Sequence, residues 1–177
     1  MSTGEKASLI RRASAGDLAL ATLAVCGVLL FGAHVMEHVF AMVPCPLCLM
    51  QRLWFYAAGL FVVAGLLHDP RWGIYPLLTL ISATIGGGFS IRQLYLQSLP
   101  PDQVPACGPS LDYMFEAFPL AEVLAAMTRG TGDCAAVSFQ FLGITLPGWA
   151  LLGFAGLAVL AVLQLRAGNQ WGSAYRS

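Results

Sequence analysis

Two pairs of cysteines carry the chemistry that this chain offers. Cys45 and Cys48 stand as Cys45-Pro46-Leu47-Cys48 where a long apolar segment opens, and Cys107 and Cys134 stand in a polar stretch downstream. Thiolate attack on a disulfide sulfur hands a disulfide from one pair to another, provided that the pairs share a compartment and can meet. Pro46 suits the first position of a helix, where its missing N–H is no loss. Cys48 then falls in the first turn, where unpaired N–H groups and the helix dipole favour a thiolate. Arg52 follows one turn later on the same face. Its guanidinium stays charged and can balance a thiolate or a polar ligand. An arginine just inside a membrane span either snorkels to the interface or serves a site.

A Cys-x-x-Cys dithiol also occurs as half of a zinc site. Here the second pair is separated by 26 intervening residues, unlike the short second half of most zinc sites, so no metal is expected. His34-Val35-Met36-Glu37-His38 has the form of the His-x-x-Glu-His pattern of one metallopeptidase class. That chemistry needs a water-filled cleft and a further ligand, neither of which the sequence suggests. Glu37 and His38 read instead as the outer end of a first span, with His38 placed to handle protons near a redox site. Cys26, the fifth cysteine, lies inside an apolar run and reads as a small buried hydrophobe. Arg92 and Gln93 end a later span at about the depth of Cys48 and Arg52, and Arg92 reads as an interfacial anchor. The Gly86-Gly87-Gly88 run lets helices approach closely.

The elements that must position these groups lie in a bilayer. The 177 residues are 58% hydrophobic and 10% charged, where soluble chains carry about 25% charged residues. Mean hydropathy is +0.73. A formal charge of +0 leaves no basic field for nucleic acid. Four segments, at about 18–36, 49–67, 74–96 and 147–165, are long enough to cross roughly 30 Å of hydrocarbon. The first exceeds the roughly 7–15 apolar residues of a cleavable signal and reads as an anchor. Lys6, Arg11, Arg12, Arg71, Arg166 and Arg176 gather six of the nine basic residues on one side. The positive-inside rule makes that side cytoplasmic, together with both termini. Loops 37–48 and 97–146, with all four paired cysteines, then face outward, where disulfides persist. A plain structural staple between Cys107 and Cys134 is compatible with that placement.

Within the long loop, Leu111, Met114, Phe115, Phe118, Leu120, Val123, Leu124 and Met127 keep a helical spacing. Pro119 should break it. One or two short amphipathic helices on the outer surface are expected. The prolines and glycine around Cys107 predict an extended, exposed segment that a thiol oxidoreductase could seat in its groove. The fold class expected is all-α. It is a four-transmembrane-helix bundle in one domain over 1–177, its long periplasmic loop carrying short surface helices.

Several motifs, in order from about Glu37 to Trp149, resemble the disulfide bond formation protein B (DsbB) family. They are Pro44-Cys45-Pro46-Leu47-Cys48 with Gln51-Arg52, Leu96-Gln97-Ser98-Leu99-Pro100, Gly132-Asp133-Cys134, Phe141-Leu142-Gly143-Ile144 and Pro147-Gly148-Trp149. The resemblance implies a bundle of the bacterial inner membrane that reoxidises a periplasmic thioredoxin-fold oxidase, DsbA, and passes electrons to a quinone, ubiquinone or menaquinone. It implies that Cys107 forms the mixed disulfide with the partner and that Cys134 is its loop mate. Cys45 would exchange with the loop pair, and Cys48 would meet the quinone beside Arg52. Gln93 falls where some members have a histidine near the quinone, and Gln51 replaces an acidic residue found in some. Two other readings stand beside this one. They are a non-catalytic four-span scaffold with a stapled outer loop, and a quinone reductase similar to the vitamin K epoxide reductase family, whose active dithiol lies on a later span.

Overall fold

The computed structural model describes residues 15–69, 72–109, 111–137 and 139–174. Of the basic residues used for orientation, Lys6, Arg11, Arg12, Arg71 and Arg176 lie outside the described residues, as does Pro70 of the predicted turn. Four long helices form the body: α1 (Ala15–His38), α2 (Pro46–His68), α3 (Ile74–Ser98) and, after the long loop, α6 (Leu146–Ala174). All four are long and apolar enough to span a membrane, α6 through its part Leu146–Ala167. They run one to three residues past the apolar segments at several ends. Backbone hydrogen bonding continues into polar residues that a hydropathy reading counts as loop.

The helices pack in a ring in which α2 and α6 each touch both α1 and α3. At its centre lie Cys26, Phe55, Ala58, Ala83, Phe154 and Leu157, all buried. The Phe55 and Phe154 rings stack with centroids 3.9 Å apart and planes 8° apart. Room for Phe154 comes from Gly86 on α3, where a Cβ would overlap the ring. This is the small-residue packing by which membrane helices gain van der Waals contact, because lipid supplies no hydrophobic drive between them. The outward faces stay apolar, with Phe31 73% and Leu67 83% exposed. That inversion suits lipid as the surrounding solvent. Thr22, Thr79 and Ser90 return their hydroxyls to carbonyls four residues back, so these polar groups remain paired inside the bundle.

The loop between α3 and α6 holds α4 (Leu111–Ala117), α5 (Leu120–Arg129), a 3₁₀ turn at Gly132–Cys134 and a short hairpin, β1 (Gln140–Phe141) with β2 (Ile144–Thr145). Pro119 caps α5, so the expected break falls between α4 and α5. The hairpin was not anticipated. Its turn residues Leu142 and Gly143 take φ of 53° and 77°, the left-handed pair that matches strand twist in a two-residue turn. Trp149 of α6 fixes it by donating Nε1–H to the Phe141 carbonyl at 3.2 Å.

Gly86→Ala should lower stability by about 1–3 kcal/mol, the usual scale of overpacking, in thermal unfolding of the detergent-solubilised protein. Gly88→Ala is the control: a Cβ there meets nothing within 4 Å, so stability should not fall.

Candidate active site

The first turn of α2 gathers three sulfurs. Cys45 is its N-cap, with extended backbone (φ −73°, ψ 163°), and Pro46 occupies the first turn. The Cys45 carbonyl accepts the first helical bond from Leu49 N at 3.1 Å. The Cys45 sulfur accepts from Cys48 N at 3.3 Å and lies 2.7 Å from the Cys48 sulfur. Cys134, fully buried, comes down from the 3₁₀ turn to hydrogen-bond Cys45, and the Leu47 backbone N–H also donates to it. The unpaired amides at the head of α2 thus serve Cys45 and Cys134. Cys48 lies in that first turn, where the sequence placed it. All five cysteines are free thiols.

Gln93 of α3 closes the cluster from above. Its Nε2 donates to the sulfurs of Cys45 and Cys48 at 3.3 Å each. Its Oε1 accepts from Gln51 Nε2 at 2.7 Å. Both amides are buried, so the Gln51 bond holds Gln93 with its N–H groups toward the thiols. A buried amide without that partner would carry a desolvation cost. Gln51 was noted in the sequence only as a departure from an acidic position.

The remaining predicted residues take distinct places. Arg52 reaches across to α1, where it pairs with the Glu37 carboxylate and donates to the Ala33 carbonyl at 3.1 Å. Arg92 donates to the Arg129 carbonyl at 3.2 Å, at the C-terminal end of α5, and lies over the Tyr95 ring. Cys107 is exposed, while Cys134 is buried among Leu47 and Leu96. The Cys107 segment nevertheless lies against the turn that bears Cys134. Gly132 N donates to the Ala106 carbonyl at 3.1 Å. A Cβ on Gly132 would strike the Pro105 carbonyl and come within 3.1 Å of the Cys107 sulfur. Only glycine permits that approach.

Electrostatics separate these thiols. The Cys45 hydrogen bond holds Cys134 down to about 6 from 9.0, against the opposing effect of burial. Cys45 is pushed up, first by its bond to Cys134 and then by its bond to Cys48, because it keeps the proton that both neighbours share. The Asp133 carboxylate, hydrogen-bonded to Cys107, pushes that thiol up. Of Cys107 and Cys134, Cys134 is therefore the better leaving group.

The family model described as "Disulfide bond formation protein DsbB" matches residues 15–164. The chain belongs to the DsbB family. It is 51% identical to Disulfide bond formation protein B of Marinobacter nauticus, over 78% of this chain and 84% of the relative. It is 46% identical to the protein of the same name from Hahella chejuensis, over 80% and 87%. For Stutzerimonas stutzeri the figures are 39%, 88% and 98%. No solved structure matches the chain. DsbB membership, with four membrane-spanning helices, makes this a multi-pass membrane oxidoreductase of disulfide bond formation.

In the reduced protein, alkylation of Cys134 read residue by residue by mass spectrometry should titrate near pH 6. Cys45→Ala should move that midpoint up toward 9.0. The linked stability has the same sign. A depressed thiol contributes fully above its unfolded value of 9.0 and loses that contribution as pH falls through about 6.

Proposed function

We propose that this protein reoxidises a periplasmic thioredoxin-fold oxidase of the DsbA type and delivers the electrons to a membrane quinone. The whole chain acts as a single integral domain of the bacterial inner membrane. Both termini are cytoplasmic and the cysteine-bearing end faces the periplasm. The observation that carries this reading is the Cys45 sulfur in contact with both Cys48 and Cys134, since a sulfur that touches two others can exchange its disulfide between them.

The cycle starts with both pairs oxidised. A thiolate of the reduced partner attacks Cys107, which is exposed, and expels Cys134, whose depressed thiol leaves readily. The partner's second thiol then attacks its own mixed-disulfide sulfur, and Cys107 leaves as a thiol. Cys134, now a thiolate, attacks Cys45 of the Cys45–Cys48 disulfide and releases Cys48. Cys107 attacks Cys134, restoring the loop disulfide and freeing Cys45. Two electrons and two protons have passed from the partner dithiol to Cys45 and Cys48.

A quinone carbonyl would fit Arg52, one helical turn on from Cys48, which has guanidinium N–H groups beyond those given to Glu37 and Ala33. Gln93 gives both of its N–H groups to the Cys45 and Cys48 sulfurs, so its role is to hold the dithiol. Exposed Phe40 and Val43, between α1 and Cys45, suit contact with a polyprenyl chain. A bound quinone, ubiquinone or menaquinone, would supply the acceptor for the two electrons and two protons and make the sequence one-way. The chain's residues orient that acceptor and stabilise the charge that develops on its oxygen.

Purified protein given reduced DsbA-type oxidase and ubiquinone should consume the quinone's ultraviolet absorbance. Cys45→Ser and Cys107→Ser should each reduce turnover to background. Wild-type rates in either variant would refute the relay.

A further inference from the structure

Among the described residues, one set of ligating side chains is left over. His34, Glu37 and His38 share a face of α1 by their i, i+3, i+4 spacing. Each offers one ligand atom, and the three atoms lie within 4.8 Å of one another. Two histidines four residues apart on one helical face are a standard way for a helix to hold zinc. A carboxylate completes a two-nitrogen, one-oxygen donor set with an open position for water. No other part of the proposed relay uses the two histidines.

A second observation bears on the same ligand. His34 Nε2 is hydrogen-bonded to the Tyr56 hydroxyl of α2 at 2.5 Å. Its Nδ1 is thereby turned toward Glu37, 3.9 Å from Oε2. Histidines bound to a metal usually have their far nitrogen held by an outer partner, which fixes ring orientation and tautomer. Tyr56 fills that place across the helix interface. His38 is exposed at the helix end, which leaves an approach from water.

The competitor is equally defined. The Glu37 Oε2 atom nearest His34 is also the atom that pairs with Arg52. A cation on that oxygen would repel the Arg52 guanidinium and draw on the same carboxylate charge, so by linkage each weakens the other. We propose that His34, Glu37 and His38 form a binding site for a divalent cation of the zinc class, which competes with Arg52 for the Glu37 carboxylate.

The test uses the full chain in detergent, without a polyhistidine tag and with its thiols blocked by N-ethylmaleimide so that sulfur cannot bind metal. Calorimetric titration with Zn²⁺ should show one saturable site. His34→Ala and His38→Ala should each abolish it, and Tyr56→Phe should weaken it about tenfold. Arg52→Gln should tighten it by about fivefold or more. No saturable binding, or an isotherm unchanged in both histidine variants, overturns the site. Unchanged or weaker binding in Arg52→Gln overturns the competition. Should the histidine variants lose their helical signal, zinc X-ray absorption on the blocked wild type decides. Two nitrogens at about 2.0–2.1 Å support the site, and an all-oxygen shell overturns it.

Discussion

The position of the Cys45 sulfur is the constraint on which the rest depends. It must touch a neighbour in its own helix and another that arrives from 89 residues further along the chain. The N-cap geometry fixes the first contact, because Cys45 accepts the Cys48 amide while its backbone is still extended. The buried packing of Leu47, Leu96 and Cys134 fixes the second. Gln93 then ties both members of the dithiol to α3, and Gln51 ties Gln93 back to α2. A slip of α2 against α3 by one residue would break the three Gln93 bonds together.

The loop is built to bring one cysteine in and leave the other out. Arg92 receives the end of α5, which sets where the chain turns toward the bundle. Gly132 allows the Cys107 segment to lie against that turn with no side chain between them. The result is one buried thiol facing the membrane dithiol and one exposed thiol facing water. Their charges diverge for the same reason. Cys134 is beside a hydrogen-bond donor in Cys45, whereas Cys107 is beside a carboxylate in Asp133.

Local signals in the sequence were legible where local physics decides the outcome. Length and hydropathy located the four spans, Pro46 marked the start of α2, and Pro119 separated α4 from α5. Where register across helices decides, the sequence was silent. The i, i+4 spacing of Cys48 and Arg52 is real, yet the long arginine side chain finds Glu37 on α1. Gln93 reaches the thiols from α3 over 45 residues of sequence separation, and no periodicity encodes that distance. The Gln51–Gln93 pair was hidden because two neutral amides look unremarkable until they are buried face to face. The hairpin turn at Leu142-Gly143 carried the one local signal that was missed: glycine in a two-residue connection between apolar residues.

Cys45 as the sulfur shared by the two pairs can be tested by mapping one disulfide. In Cys107→Ser protein, Cys134 has no loop mate to reclaim it, so it should attack Cys45 and remain there. Acid quenching, alkylation and peptide mass spectrometry should then find Cys45 joined to Cys134 and Cys48 alkylated as a free thiol. A Cys45–Cys48 disulfide with Cys134 free, under the same conditions, would contradict the account.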